Sequence, residues 1–265
     1  MRAQQHHQNH RMIWVIIAAI LIIAGVGTAF FVHQQQAVKA RETSLSRASS
    51  QAASRAKASS IAESKKASSI AASSSKAKLA SEMAADPLYK EYKNYGLTYE
   101  MIQGAKTLQI SAVGDSVMLG SDYGLKELFP QIQLDASVSR QVSEGPALLQ
   151  KLQVAGRLAD VVVVGLGTNG PVDADAIKAV MDVVGTSRQV FWVTNYAPET
   201  SWMTANNQEI EKAASTYDNF TVIDWAKLVA PHKDWLTADG VHPEVNGQVW
   251  YYTLIVKTVM AKVLK

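Results

Sequence analysis

The sequence contains no cysteine, and its charges are unevenly distributed. Without cysteine the chain has no disulfide, no thiolate ligand for a metal ion and no thiol to carry a lipid. Residues 1–86 contain 11 Lys and Arg against 4 Asp and Glu, whereas residues 87–265 contain 15 against 19. The second part therefore lacks the excess of positive charge that nucleic-acid binding depends on, and we expect no nucleic acid among its ligands.

Charge is absent altogether from residues 12–32, a run of 21 residues. At about 1.5 Å per residue, a helix of this length measures roughly 30 Å, the thickness of the hydrocarbon core of a bilayer. The run predicts a transmembrane anchor preceded by a short tail, residues 1–11. A cleaved signal peptide is the alternative, because Gly27-Thr28-Ala29 offers small residues, but the apolar part of such a peptide usually spans only ~7 to 15 residues.

The segment that follows, residues 33–86, has the composition of a spacer. It consists mainly of Ala, Ser, Lys and Arg, contains neither Gly nor Pro, and has too few apolar residues for a core. Its alanines favour a helix, so a semi-rigid helical spacer and a random coil both remain open. Basic residues flank the anchor almost equally on its two sides, and we place the amino end inside because the spacer would hold a domain away from the outer surface.

Residues 87–265 predict a doubly wound α/β domain with a mainly parallel, five-stranded sheet. Apolar runs alternate with stretches of helical composition, which is typical of this architecture. The run at 161–164 is four consecutive valines, as expected for a central strand covered on both faces. The predicted strands are 108–113, 132–136, 161–164, 190–193 and 221–223.

Helices are predicted at both ends of this domain. Four tyrosines between residues 89 and 99 indicate a first helix that packs on the edge of the domain. A last helix is predicted from about Gly247, with Asn246 as its N-cap. The residues expected to face inward from that helix are Tyr252, Val256, Val259 and Val263.

Ser116 is the candidate nucleophile. The apolar run from Leu108 ends abruptly in Gly114-Asp115-Ser116, so the serine falls where a strand turns into a helix, at the sheet edge where α/β folds bind ligands. A serine hydroxyl is a weak nucleophile by itself and requires a base, a group that orients the base, and donors for the oxyanion.

The base is expected to be His242, with Asp239 orienting it. Only His232 and His242 fall within residues 87–265. Asp239 precedes His242 by three residues, a spacing that places its carboxylate beside the imidazole across a turn, where it fixes the tautomer and stabilises the imidazolium. His232 has no acid placed in this way. A hydrogen bond within a loop is the alternative interpretation of the Asp-x-x-His spacing.

Asn169 is the candidate oxyanion donor, because its amide follows the predicted central strand in Gly167-Thr168-Asn169-Gly170. Asn-Gly is also a common turn pair. Gly165 and Gly167 match half of a dinucleotide fingerprint, but the third glycine and the later acid are not suitably placed, so we expect no cofactor. We also expect no metal, because no clustered set of His, Asp and Glu remains once the candidate triad is assigned.

Three motifs together resemble those of the SGNH (GDSL-type) hydrolases, over the whole of residues 87–265: Gly114-Asp115-Ser116, Gly167-Thr168-Asn169 and Asp239-Gly240-Val241-His242. The resemblance implies the flavodoxin-like fold of that family, with Ser116 as nucleophile, His242 as general base and acid, and Asp239 orienting it. It also implies an oxyanion hole that includes the Ser116 backbone N–H and Asn169. A glycine N–H normally contributes to that hole, and Ser139 stands in the glycine's place here. Asp115 is interpreted as a loop-ordering residue.

Within that family, three segments are most similar to the extracytoplasmic domain of bacterial peptidoglycan O-acetyltransferases: 114–118, 139–141 and 239–243. Those proteins join such a domain to a multi-span membrane acyltransferase module, whereas this chain has one predicted span. The resemblance implies that Ser116 attacks an acetyl ester or donor and that the acetyl-enzyme then transfers its acetyl group to a glycan hydroxyl or to water.

The leading hypothesis is a single-pass cell-membrane protein with its catalytic domain outside, a serine acyltransferase or esterase for O-acetyl groups of cell-wall polysaccharide. As a transferase it would take acetyl from a separate membrane acyltransferase or a soluble ester. Two alternatives stay open. One is a general carbohydrate or lipid esterase, and the other is an inert surface domain that binds glycan by stacking on Trp192, Trp202 or Trp235.

Overall fold

The structure is a computed structural model that describes the backbone of residues 2–265 and the side chains of residues 18, 21 and 25–265. The chain divides into two compact units, Met1–Lys78 and Leu79–Lys265.

A single long helix, α1 (Arg2–Ala85), contains the whole predicted spacer except its last residue. Of the two conformations left open for residues 33–86, the structure therefore has the helix. Every side chain from residue 25 to residue 82 is exposed, as expected for a spacer without a core. Serine hydroxyls along it donate to backbone carbonyls of the preceding turn, for example Ser59 Oγ to the Ala56 carbonyl at 2.9 Å.

The membrane anchor predicted at residues 12–32 lies largely outside the described side chains, which within this run are those of residues 18, 21 and 25–32. Among the residues that are described, no helix is apolar over a length sufficient to cross a bilayer. The anchor stays a prediction, and so does the short tail before it.

One sheet of five parallel strands forms the centre of the second unit. The strands are β1 (Ile110–Gly114), β2 (Ile132–Ala136), β3 (Val161–Gly165), β4 (Gln189–Val193) and β5 (Phe220–Ile223). Their order in the sheet is β2-β1-β3-β4-β5, which confirms the predicted α/β class, strand number and parallel arrangement. Because the chain order reverses at β1, the crevice for a ligand lies beyond the carboxyl ends of β1 and β3.

Helices cover both faces of the sheet. After α1 they are α2 (Pro87–Tyr92), α3 (Tyr99–Thr107), α4 (Ser116–Gly120), α5 (Asp122–Leu128), α6 (Gly145–Val154), α7 (Ala174–Val184), α8 (Met203–Thr216), α9 (Trp225–Val229) and α10 (Val245–Val263). The valines of β3 show the two cores that result. Val161 and Val163 pack into the core on the side of α3, α5 and α10, whereas Val162 and Val164 pack into the core beneath α6, α7 and α8.

The first helix of the domain, α2, packs against α10 through Tyr92. Its ring lies edge-on to that of Tyr252, with centroids 5.8 Å apart. The buried hydroxyls continue this contact, because Tyr252 donates to the Tyr92 oxygen at 3.2 Å and Tyr92 donates to the carboxylate of Glu127. The predicted packing of the tyrosine segment on the domain is thus observed.

Two details predicted for the last helix are wrong. Helix α10 begins at Val245 with Glu244 as its N-cap, because the Glu244 N–H donates to the Trp235 carbonyl at 2.8 Å and fixes the start of the helix. Asn246 therefore lies inside the first turn. Val263, the last residue of the helix, is 39% exposed, although the other three residues of the predicted stripe are buried.

The close packing of α5 on α10 predicts that Gly124→Ala destabilises the protein. A Cβ at this position would lie 2.2 Å from Cε1 of Tyr252, so the tyrosine ring would have to move. We expect a loss of about 1–3 kcal/mol in the free energy of unfolding, measured by urea titration of the full-length chain with tryptophan fluorescence.

Gly120→Ala is the matched control for this substitution. Gly120 is also helical, but its Cβ would have no neighbour closer than Gln248 Nε2 at 3.8 Å. We expect this variant to be as stable as the parent or slightly more stable, because alanine is the better helix former. Equal losses in the two variants would contradict the packing account.

Candidate active site

The structure brings Ser116, His242 and Asp239 into one hydrogen-bonded series. Ser116 Oγ lies 2.8 Å from His242 Nε2, and His242 Nδ1 lies 2.7 Å from Asp239 Oδ2. With the Asp239 carboxylate accepting from Nδ1–H, the Nε2 atom is unprotonated and can accept the serine proton. The three residues predicted from their motifs therefore have the arrangement of a nucleophile, a base and an orienting acid.

The carboxylate oxygen of Asp239 that does not contact the His242 ring, Oδ1, holds the side chain in its loop. Oδ1 accepts hydrogen bonds from the Thr237 hydroxyl at 2.6 Å, from the Val241 N–H at 2.8 Å and from the His242 N–H at 3.0 Å. Partial burial works to raise the pKa of Asp239, but the hydrogen bonds from Thr237, His242 and Val241 outweigh it, and the pKa lies well below its ordinary value. The carboxylate is consequently ionised at every pH at which a neutral histidine acts as base.

A tight turn at the end of β1 places the candidate nucleophile, Ser116. Ser116 is the first residue of α4, and the Asp115 N–H donates to the Gly165 carbonyl at 2.9 Å. Met118 fills the space above the strand ends. A Cβ at Gly114 would lie 2.5 Å from the Cβ of Met118, whereas a Cβ at Gly165 would meet the flexible end of that side chain, its Cε, at 2.5 Å. The Cβ of Met118 moves only with its helix, so glycine at the end of β1 is what allows the helix to start at the serine.

Asp115 orders the loops around Ser116, as its position next to that residue predicted. Its side chain is buried, with Oδ1 accepting from the Val117 N–H at 3.1 Å and Oδ2 accepting from the Thr168 N–H at 3.2 Å. Burial raises the pKa of Asp115, and hydrogen bonds from Thr168 and Val117 partly oppose that effect. The carboxylate thus joins the loop after β1 to the loop after β3.

The candidate oxyanion donors lie on the loops that follow β1, β2 and β3. The Ser116 N–H belongs to the first turn of α4, where backbone donors lack an acceptor within the helix. The Asn169 side chain is half-buried, and its Nδ2 donates to the Arg140 carbonyl at 3.3 Å. Ser139 has φ 59°, a left-handed conformation that favours glycine. The role of Ser139 as an oxyanion donor stays a prediction.

Asn206 supports the Asn169 loop, and it was not predicted from the sequence. Its buried amide donates to the carbonyls of Gly167 and Gly170 at 3.0 and 2.9 Å, and its Oδ1 accepts from the Val172 N–H at 2.7 Å. A buried asparagine that satisfies three backbone groups fixes the course of the loop. The sequence offered no signal for this role, because Asn206 lies 34 residues or more from the groups it contacts.

Two of the three tryptophans considered as stacking surfaces for a glycan are buried. Trp192 is fully buried and Trp235 is 7% exposed, whereas Trp202 is half-buried and donates its Nε1–H to the Thr168 carbonyl at 3.3 Å. His232, the other histidine of the domain, stacks on Trp235 with ring centroids 3.9 Å apart. Trp192 and Trp202 thus support the loop after β3, since the Nε1–H of Trp192 donates to the Leu166 carbonyl at 3.2 Å. Among the described residues there is also no cluster of three His, Cys, Asp or Glu that would hold a metal ion.

Comparisons with known proteins find relatives in sequence. The chain is 30% identical to the peptidoglycan O-acetyltransferase OatA of Listeria monocytogenes over 147 residues. The aligned region covers 56% of this chain and 23% of that protein. Over 147 residues it is 31% identical to the O-acetyltransferase OatA of Staphylococcus aureus, covering 55% of this chain and 24% of the relative. The chain resembles the peptidoglycan O-acetyltransferases. This confirms the resemblance inferred from the motifs.

A solved structure shows the same fold. The C-terminal catalytic domain of Streptococcus pneumoniae peptidoglycan O-acetyltransferase A, solved with a methylsulfonyl adduct, aligns with a TM-score of 0.53 at 19% identity, over 58% of this chain and 93% of that domain. No family model matches the chain. The chain spans about a quarter of the length of the curated relatives named above.

The hydrogen bonds of Asp239 predict that Asp239→Asn lowers kcat for ester hydrolysis by about 10³–10⁴-fold, because an asparagine that donates to Nδ1 leaves the proton on Nε2. The measurement is steady-state hydrolysis of a chromogenic acetyl ester. Asp234→Asn, at an exposed aspartate in the same loop region, is the control and is expected to keep full activity. An Asp239→Asn variant with more than a tenth of the parent kcat would contradict the role given to this carboxylate.

Proposed function

We propose that the chain is a membrane-anchored serine acyltransferase or esterase that acts outside the cytoplasm on O-acetyl groups of cell-wall polysaccharide. The observation that carries the proposal is the hydrogen-bonded series of Ser116, His242 and Asp239 at the carboxyl edge of the sheet. The similarity to two named O-acetyltransferases over 147 residues supports the acetyl group and the cell-wall substrate.

In the first half of the reaction, Ser116 Oγ attacks the carbonyl carbon of an acetyl ester while His242 Nε2 takes its proton. The negative charge that develops on the carbonyl oxygen is stabilised by donors from the Ser116 N–H, Asn169 and the Ser139 N–H. When the intermediate collapses, the bond to the leaving alcohol breaks and His242 gives that alcohol the proton. Ser116 is left as an acetyl ester.

In the second half, an acceptor hydroxyl loses its proton to His242 Nε2 as its oxygen attacks the acetyl carbon. The Ser116 ester bond breaks, and Oγ regains a proton from His242. A glycan hydroxyl as acceptor gives an O-acetylated polysaccharide, and water gives acetate. The competition between them depends on how far the bound glycan excludes water from the site.

A specific observation favours esterase activity as a second function of the same site. The side chains of His242 and Asp239 are 41% and 49% exposed, so without a bound glycan water reaches the acetyl-enzyme directly. We therefore expect acetate release in the absence of acceptor. An inert glycan-binding domain is disfavoured because the stacking residues it requires are largely buried.

The proposed organisation places a tail at 1–11, the anchor at 12–32, the spacer at 33–86 and the hydrolase domain at 87–265. A fully helical spacer of this length would reach about 80 Å, enough to carry the domain into a cell-wall layer. The acetyl donor is a soluble ester or a separate membrane acyltransferase, and the acceptor is a wall glycan. The protein is accordingly proposed to be single-pass in the cell membrane, with its domain outside.

The proposed chemistry predicts that Ser116→Ala and His242→Ala each lower hydrolysis of a chromogenic acetyl ester by at least about 10³-fold. In the full-length parent, bare wall oligosaccharides should gain acetyl esters, detected by mass spectrometry, and acetate release should fall. Ser121→Ala is the matched control, because the Ser121 hydroxyl is buried without a hydrogen-bond partner among the described residues. Unchanged turnover in Ser116→Ala would overturn the serine mechanism.

The proposed anchor predicts that the full-length chain sediments with membranes and resists extraction by high salt and by alkaline carbonate, because the apolar run lies in the bilayer. A chain that starts at residue 33 should remain in the supernatant. Accessibility of the domain to protease in intact protoplasts tests its side of the membrane. Release of the full-length chain by carbonate would contradict the anchor.

A further inference from the structure

We infer that Arg140 is the positioning residue that assembles the oxyanion hole around Ser116. This inference rests on the proposed function, since it concerns donors that act only when an acyl group is attacked. Arg140 lies on the loop after β2, between the candidate donors Ser139 and Asn169, and its side chain is 9% exposed. The prediction from the motifs assigned it no role.

The guanidinium of Arg140 joins the ends of two strands. Nη1 donates to the carbonyl of Gly114, the last residue of β1, at 3.2 Å, and it also donates to the carbonyl of Asp135 in β2. Nη2 donates to the Asp135 carboxylate at 2.7 Å. Since Gly114 directly precedes Asp115 and Ser116, this side chain ties the turn of the nucleophile to the loop that carries Ser139.

The backbone of Arg140 holds the third candidate donor. Its carbonyl accepts from Asn169 Nδ2 at 3.3 Å. A side-chain amide has two N–H donors on one nitrogen. The contact with the carbonyl of Arg140 engages one of them, which leaves the second N–H of the same nitrogen for the oxyanion. Arg140 therefore belongs to one of the three loops that supply donors, the one that carries Ser139, and it contacts residues at the other two, Gly114 and Asn169.

We expect Arg140 to contribute to the arrangement of the oxyanion donors rather than to the stability of the fold. The Asp135 carboxylate is 53% exposed, and an ion pair with one partner in solvent adds little to stability. The planar fork of arginine, however, reaches a backbone carbonyl and a carboxylate at once, which the single ammonium of lysine does not. Arg140→Lys keeps the charge and removes this geometry.

Arg188 offers a matched control at the opposite edge of the sheet. Its Nη1 donates to the Val184 carbonyl at 3.1 Å, and its own carbonyl accepts from Asn219 Nδ2 at 2.6 Å. The chemistry is therefore the same, an arginine that bonds a carbonyl and receives an asparagine amide. Arg188 immediately precedes β4, at the amino end of the strand, whereas the site lies beyond the carboxyl ends.

The test compares Arg140→Lys, Arg188→Lys and the parent as full-length chains hydrolysing a chromogenic acetyl ester. We expect kcat to fall by about 10- to 100-fold in Arg140→Lys with KM within about 3-fold, because displaced donors weaken the transition state more than substrate binding. Arg188→Lys should match the parent. Asp135→Asn provides a second variant with an exposed substitution, and we expect a smaller fall of kcat in the same direction.

A double-mutant cycle with Asn169→Ala distinguishes positioning from a general structural role. If Arg140 acts through Asn169, Arg140→Lys should lower kcat by a clearly smaller factor in the Asn169→Ala background than in the parent, since the effects of coupled residues are not additive. The inference would be overturned if the effects of the two substitutions on kcat were fully additive. It would also be overturned if Arg140→Lys had the kcat of the parent, or if Arg188→Lys lost as much kcat as Arg140→Lys. Should Arg140→Lys fail to fold, an Asp135→Asn variant with parent kcat would overturn it.

The failure of this inference is distinguishable from the failure of the proposed function. If Ser116→Ala is inactive and Arg140→Lys is fully active, the serine chemistry stands and only the role of Arg140 is refuted. If Ser116→Ala turns over the ester like the parent, both are refuted.

Discussion

The packing of Met118 against Gly114 is the constraint on which the rest of the site depends. Gly114 ends β1, and a Cβ there would lie 2.5 Å from the Cβ of Met118 in the helix that follows. With glycine at this position, α4 starts directly at the strand end. Ser116 is thereby held at the carboxyl edge of the sheet, beside the loop that carries Asn169.

Two aspartates near Ser116 have different roles because their burial and hydrogen bonds differ. Asp115 is 1% exposed, and both of its oxygens accept from backbone N–H groups, so it connects loops. Burial raises the pKa of Asp115, whereas the hydrogen bonds on Asp239 lower the pKa of that carboxyl. Of these two aspartates, Asp239 is the one that contacts the ring of His242. The ionised form of Asp239 is the form that stabilises the imidazolium.

The sequence was sufficient for features that depend on short segments. The valines at 161–164 predicted the central strand. Ser116, Asp239 and His242 could be selected as candidates because a strand, a turn and an acid-to-histidine spacing are local patterns, and the structure brings the three together. Arg140 gained no such signal, since its partners Gly114 and Asn169 lie 26 and 29 residues away and meet it only in the folded sheet. The start of α10 was misplaced because a hydrogen bond from the Glu244 N–H to the Trp235 carbonyl sets it, and the helical pattern carries no sign of that bond.

The central claim is that Ser116 carries the acetyl group, and trapping this intermediate tests it most directly. The full-length protein is mixed with an activated acetyl ester, quenched in acid within the first turnover, digested and analysed by mass spectrometry. The account predicts an acetyl group on the peptide that contains Ser116, and its loss when water or a glycan is allowed to react before the quench. Acetyl found only on other peptides, or equally in Ser116→Ala, would contradict it.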